Sequence, residues 1–427
     1  MFLGKQQINE AENPAYIRPK ANGPQNLRAI WAEIDRSQKE LQQLVYGDLD
    51  KDLYDITKQK ARRMGVGNLV IPHTLCDAGN TKLPSNVLIV NMSSSLMCPS
   101  YYLGLCQIRD GACYAQKGEN KNTRNVLKNR WQTDLMTTQM LQQYQHGNKK
   151  PMKQYFNLIE KYIQLGNAYA KNELKDEIAQ MERIFKRPLT KEELRYAQAK
   201  CNQYKITDVR LNETGDFHCQ LAVDLWSKFA DKIKNKYGIN THAYTARNLD
   251  FSDASKHMAI NASHEGINMG EEPERKFKAV ANEFYSKLKQ TQVINGQPKL
   301  SVLNGTFYYK CPCQSENPAC DLCGVCFNRN KTGKPYTIYV EYHGVGVASG
   351  LTNLFKSDEI KNVMDTMYQN GWITDEEYEA YTSKKNKRNM AKRDANIDDK
   401  RRKTKTQVKE SIIKRLINDT TKFFLKG

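Results

Sequence analysis

Five cysteines fall within 16 residues, in the run Cys311-Pro312-Cys313-x6-Cys320-x2-Cys323-x2-Cys326, while the whole 427-residue chain has 11. Thiolates at two-residue spacing can turn toward one metal, because a tight turn puts both sulfurs on the same side. Gly324, between the last two, frees the backbone for that turn. Whatever elements carry this run must bring its sulfurs to one place. The opening residues Met1-Phe2-Leu3-Gly4-Lys5 lack the apolar stretch of a signal peptide, so a cytoplasmic protein is expected. In a reducing compartment clustered cysteines serve as metal ligands more often than as disulfides.

A second set, Cys98-x7-Cys106-x6-Cys113, matches no common zinc spacing. Its bland alternative is three buried thiols packing as small hydrophobes. Together the sets offer eight candidate ligands: Cys98, Cys106, Cys113, Cys311, Cys313, Cys320, Cys323 and Cys326. That is more than one tetrahedral ion needs. A single four-cysteine cluster plus a second site, or two separate sites, both fit the count. Zinc suits the second set as a ribbon or knuckle. The almost purely sulfur ligand supply favours an iron–sulfur cluster, of the four-iron, four-sulfur kind.

Around these sets the chain alternates strand and helix patterns, which argues for a parallel sheet with crossover helices. Val87-Leu88-Ile89-Val90 is an apolar run of the buried-strand kind. Strands are expected at 209–212, 241–245, 258–261, 301–303 and 337–342, with helices at 221–233 and 276–288. About six strands suit a partial (β/α) barrel or an open parallel sheet. Helices are expected at 27–45, from Asp50 to Arg63, at 125–145, and from Met152 to Cys201 with a break near Arg187-Pro188. Thr190 and Glu193 form a capping box for the last of these. The resulting division is an N-terminal helical cover over 1–80, an α/β core over 81–345 with a helical insertion at about 150–205, a small helical unit over 346–383 and a basic tail over 384–427.

The formal charge of +19 sits mostly in that tail, where 16 Lys and Arg face 5 Asp and Glu for a net +11. Such a tail suits nucleic acid, whose condensed counterions it would release. A solvated, solubilising end is the plain alternative. Val408, Ile412, Ile413, Leu416 and Ile417 give the tail an amphipathic helical pattern. No run of about 18 apolar residues predicts a membrane span. Neither a GKS/T phosphate loop nor a GxGxxG turn occurs, which removes support from NTPase and nicotinamide readings.

Other candidates stand just past strand ends, where α/β proteins place their sites. Glu213 and Asp216 can orient a substrate or hold a proton, and Gly215, Tyr244 and Thr245 can hold a cofactor. Arg247 can clamp a phosphate or carboxylate. For Asp216 the competing reading is favourable placement at a helix N-terminus. For Arg247 it is a surface ion pair.

Four motifs in order resemble the phage gene-product-eighty-eight-like proteins. They are Asn91-Met92-Ser93 through Cys98-Pro99 with Gly111-Ala112-Cys113-Tyr114-Ala115, then Arg210-Leu211-Asn212-Glu213-Thr214-Gly215-Asp216-Phe217, then Ala243-Tyr244-Thr245-Ala246-Arg247, and last the run from Cys311 to Cys326. The likeness spans roughly residues 85–345, with 150–205 as a departure. It implies a phage or mobile-element protein without implying a reaction. A more distant likeness is to radical S-adenosylmethionine enzymes, which hold a cluster after the first strand of a partial barrel; their CxxxCxxC signature is missing here. The leading expectation is a metal-centred α/β protein acting on or beside nucleic acid, in its enzymatic version an iron–sulfur enzyme. The competing one is a non-enzymatic, zinc-stapled nucleic-acid-binding module.

Overall fold

The computed structural model describes residues 18–47, 76–78, 83–92, 98–103, 125–263, 267–294, 297–312, 323–341 and 357–383, with positions 49, 51, 55, 58 and 105. The expected helix from Asp50 to Arg63 and the basic tail lie outside this set, apart from those single positions. Two compact units divide the chain, residues 1–345 and 346–427.

The first unit is built on an open, nine-stranded sheet. Its strands are β1 (Cys76–Ala78), β2 (Val87–Val90), β3 (Asp208–Leu211), β4 (Asn240–Thr245), β5 (Ala259–Ala262), β6 (Arg275–Val280), β9 (Ser301–Leu303), β10 (Thr306–Lys310) and β11 (Tyr336–Glu341). The spatial order is β1-β2-β3-β4-β5-β6-β11-β10-β9. The seven strands from β2 to β10 run parallel, and only the edge strands β1 and β9 pair antiparallel. β7 (Val293–Ile294) and β8 (Gln297–Pro298) form a separate small hairpin. From β2 to β6 each strand is added on the same side, which excludes a doubly wound arrangement of this part.

That order fixes which face each connection crosses. A right-handed crossover between parallel strands lies on one face when the chain moves one way across the sheet, and on the other face when it moves back. The chain moves forward from β2 to β3 through helices α2 (Asn125–Gln145), α3 (Lys150–Phe185) and α4 (Lys191–Cys201), and from β3 to β4 through α5 (Gln220–Tyr237). It moves backward from β10 to β11, through residues 311–335. The cysteine segment must therefore cross the face opposite the helices, and its packing agrees.

The helix face is ordinary hydrophobic packing. Tyr155 and Phe156 of α3 pack on Trp226 of α5, and Phe156 stacks on Phe229 at 4.6 Å. The Trp226 indole donates to Met92 Sδ, just past β2. Helix α1 (Gln25–Gln42) buries Ile34 and Leu41, and Gln38 donates to the Tyr162 hydroxyl of α3 at 3.1 Å. The buried residues of α3 run only from Pro151 to Ala170; from 171 onward it carries none, so this stretch is the exposed part of the expected insertion. Thr190 and Glu193 close the expected capping box at the start of α4.

One expectation is corrected. Residues 276–288 are not one helix but strand β6 followed by the short helix α6 (Asn282–Lys287). Phe277, Val280, Phe284 and Leu288 have helical spacing, yet Lys276-Phe277-Lys278-Ala279 alternates with period two. Two parallel neighbours, β5 and β11, supply the ladder that settles it. The second unit contains α7 (Ser357–Gln369) and α8 (Asp375–Thr382), with Met364, Met367, Trp372 and Tyr381 buried and Tyr368 stacked on Tyr378 at 4.4 Å. Among the described residues no helix is long and apolar enough to cross a membrane.

Candidate metal centre and the strand-end loops

At the C-terminal ends of β2, β3 and β4 three loops are tied to one carboxylate. Just past β3, Asn212 has a φ of 54° that turns the chain sharply, and Gly215 at φ 77° turns it again. The Asn212 side chain accepts from Met92 N–H at 3.3 Å, and the Asn91 side chain accepts from Thr214 N–H at 3.1 Å. Each loop thus holds the other's backbone. Asp216, buried, then takes donors from four described residues. Its Oδ1 accepts from the Thr245 hydroxyl at 2.7 Å and Phe217 N–H at 2.8 Å; its Oδ2 accepts from the Ser100 hydroxyl at 2.7 Å and Ala246 N–H at 2.8 Å. Burial pushes its carboxyl above the ordinary value, against the pull of these donors.

Asp216 is therefore the knot between loops, with its lone pairs engaged inside the protein. Ser100 stands two residues after Cys98, itself buried, so the knot also fixes the start of the first cysteine set. Thr245 spends its hydroxyl on Asp216 and on Arg247 N–H at 3.1 Å. Arg247 is buried, not a surface cation. Beside it His218 is fully buried, and burial, then the Arg247 charge, pushes its pKa down to about 3. Glu213 and Gly215 are only half-buried at this edge.

Tyr244 does not join them. It points to the opposite face, where the cysteine segment lies. There the described part of the segment crosses the sheet from β10 to β2. Cys323 Sγ and the Tyr309 hydroxyl of β10 share a hydrogen bond at 3.0 Å. Arg275 of β6 donates to Val325 O at 2.8 Å and to Asn328 O. Asn261 of β5 donates to Cys326 O at 3.1 Å, and the Tyr244 hydroxyl of β4 bonds the Cys326 thiol. Phe327 stacks on His242 of β4 at 4.4 Å and packs with Val87 and Ile89 of β2 and with Leu83 just before that strand. The segment is a plug laid across the sheet, touching β10, β11, β6, β5, β4 and β2.

Cys311, Cys323 and Cys326 all pack against the cluster of Tyr309, Val325, Tyr336 and Ile338. Burial first, then the nearby thiols of these three, pushes the Tyr309 hydroxyl far above its ordinary value. Burial likewise pushes the Cys326 thiol up, while Arg275 and the Tyr244 hydroxyl pull it back. His242 sits well below its usual value, through burial and then the charges of Arg210 and Arg275.

The structure thus gathers three of the five cysteines of the second set. Cys106, Cys113, Cys313 and Cys320 lie outside the described residues. Among the described residues no group of three or more His, Cys, Asp or Glu is arranged as a metal site. Sequence reasoning missed Tyr309, His242, Asn261 and Arg275. Their signal is parity: in register, Tyr244 pairs with Asn261, and Arg275 with Tyr336, so one row of the plugged face is polar in strands that are otherwise core.

Fold and site together define an open, mostly parallel α/β protein with helices on one face and a cysteine-bearing connection on the other. No protein-family model matches the chain, and no curated protein or solved structure does either.

Proposed function

We propose that this chain is a metalloprotein whose Cys311–Cys326 run ligates an iron–sulfur cluster, in an α/β protein of the phage or mobile-element type its motifs resemble. The observation that carries the reading is the gathering of Cys311, Cys323 and Cys326 around Tyr309, with tyrosine hydroxyls bonded to two of the sulfurs. Hydrogen bonds to ligating sulfurs tune and orient such centres. The donors fit the group: the set is all sulfur, and Cys313 and Cys320 lie on the same run. Bound metal would staple the plug and add folding energy.

The strand-end loops are the candidate reactive side. Asp216 holds them in place, Glu213 is the part-exposed carboxylate among them, and Cys98 starts the second thiol set at the same edge. The basic tail at 384–427 supplies the contact to nucleic acid.

Anaerobic purification followed by iron, sulfide and zinc analysis tests the centre. A brown protein with iron and sulfide, lost in C323S and C326S, is expected. Stoichiometric zinc would favour the stapled module instead, and a metal-free wild-type chain would end the reading. Removal of residues 384–427 should abolish most DNA or RNA binding and flatten its salt dependence; unchanged binding would refute the role of the tail.

A further inference from the structure

Away from the cysteine segment, on the opposite face of the same sheet, strands β6, β11, β10 and β9 carry an open cleft. Alternation fixes the face: Ile338 packs under the cysteine segment, so its neighbour Tyr339 points the other way. Lys278 of β6 stands beside Tyr339 in register. Phe284 of α6 meets the Tyr339 ring edge-on, with centroids 5.3 Å apart. Across from it, β9 and β10 are joined by the two-residue turn Asn304-Gly305, at φ 49° and 78°. Phe284 and Val280 on one side, Leu303 and Asn304 on the other, enclose a cleft of about 450 Å3. Tyr285 and Leu288 bury the apolar side of α6 on Tyr308, whereas Phe284 stays 39% exposed at the cleft. The charge here is positive. Residues 274–310 hold seven Lys and Arg against two Asp and Glu, a net +5 outside the basic tail. Lys278, Lys287 and Lys289 are exposed. Of the acids, Glu274 pairs with Lys276, Glu341 accepts from Asn282, and Glu283 is exposed on α6. Among the described residues no ion pair involves Lys278.

We propose that this cleft holds one nucleotide of a single-stranded nucleic acid. The base lies against the Phe284 and Tyr339 rings, the Lys278 ammonium takes a backbone phosphate, and the Asn304 amide reaches the base edge. This rests on the nucleic-acid reading above and gives the first unit a contact of its own, in addition to the tail's. The volume suits a ligand of that size. Every base has a π-face and every linkage a negative charge, so exposed rings beside a free lysine fit a strand without fixing its sequence. A duplex keeps its bases stacked, and opening it to fill the cleft would cost unstacking energy.

Fluorescence anisotropy on the full chain tests this with a labelled oligothymidine and the same strand made abasic. The phosphates are equal in the two, so the tail contributes alike to both and their affinity ratio reports the cleft. Wild type should bind the thymidine strand about 5- to 150-fold more tightly, the range for one stacked base. F284A should bring that ratio to near unity with abasic binding unchanged, and F284W should keep it. K278Q should weaken both strands alike and lower the salt slope by about 0.7. Oligouridine in place of oligothymidine assigns the strand as RNA or DNA. A ratio near unity in wild type would make the cleft a surface for polyanions or peptides and overturn the proposal, as would a ratio unchanged in F284A. Should F284A fail to fold, K278Q and photocrosslinking from a 5-iodouracil strand decide. A crosslink at Phe284 or Tyr339 supports the cleft; crosslinks confined to other residues, or K278Q binding like wild type, overturn it. Binding that survives removal of residues 384–427 with the ratio intact would sink the tail's role and leave the cleft standing.

Discussion

Replacing Asp216 tests whether the strand-end loops hang on one carboxylate. Among the described residues each of its oxygens takes one hydroxyl and one backbone N–H. That symmetry sets the magnitude. In D216N one oxygen remains and the other becomes an NH2 group, whichever way the amide turns. The hydroxyl on the NH2 side, Ser100 or Thr245, can rotate and accept instead. The backbone N–H there, Ala246 or Phe217, cannot, and an orphaned buried donor costs about 1–3 kcal/mol. The bonds left on the oxygen side also lose charge assistance, while relief of the buried charge works in the opposite direction. A net loss of about 1–3 kcal/mol is expected for D216N, and about 3–5 for D216A, which orphans both backbone donors. Urea unfolding at constant slope measures the loss. Amide hydrogen exchange locates it: both the Phe217 and Ala246 amides exchange slowly in wild type, and one of them exchanges fast in D216N. A D216N protein within about 0.5 kcal/mol of wild type, or a D216A protein no worse than D216N, would refute the knot.

Two further predictions concern the core. His218 and His242 are buried neutral, with pKa values far below that of an unfolded histidine, so the unfolded chain binds more protons below about pH 6.5. Stability contributed by their neutrality is complete above that pH and is lost as pH falls, by about 2 kcal/mol for each histidine between pH 6.5 and 5. In H242Q the decline in unfolding free energy over this range should shrink by about 2 kcal/mol; an unchanged pH slope would mean His242 titrates normally. Phe327 fills the space between His242 and the β2 side chains, so F327A should cost about 3–5 kcal/mol in unfolding free energy, whereas a loss below about 1 would mean the plug adds little to the fold.

Long periodic segments were readable directly. The apolar run at 87–90, the helices α3 to α5 and the capping box at Thr190 depend on local pattern, and the structure has them. The cysteine run announced a common meeting point, but not where. Its position follows from the reversed move between β10 and β11, and no local signal encodes strand order. β6 was unreadable for a related reason: Arg275–Val280 carries two lysines and three apolar side chains that satisfy either period, and only its two parallel neighbours choose. At 244–247 the pattern Tyr-Thr-Ala-Arg looked like one site. Alternation along the strand sends Tyr244 to the plug and Thr245 to Asp216, so the single motif serves two places. Arg275 and Asn261 were invisible because a polar residue in a strand reads as solvent-facing unless something is known to cover it.

The late arrival of β11 has a consequence for how the chain comes together. β11 is central in the sheet but last of its strands in sequence, pairing with both β6 and β10. Until residues 336–341 are made, β6 has no partner on that side, and neither has β10. The sheet is then two pieces with parallel edges open, the kind of edge that recruits other chains. The residues synthesised immediately before β11 are the cysteine run. Capture of metal at 311–326 would shorten the loop that β11 must close and bring the final strand to the gap, so cofactor supply and sheet completion become one kinetic event. In metal-starved cells the expected symptom is aggregation of nascent or newly released chains through the β6 and β10 edges, ahead of any loss in the helical layer.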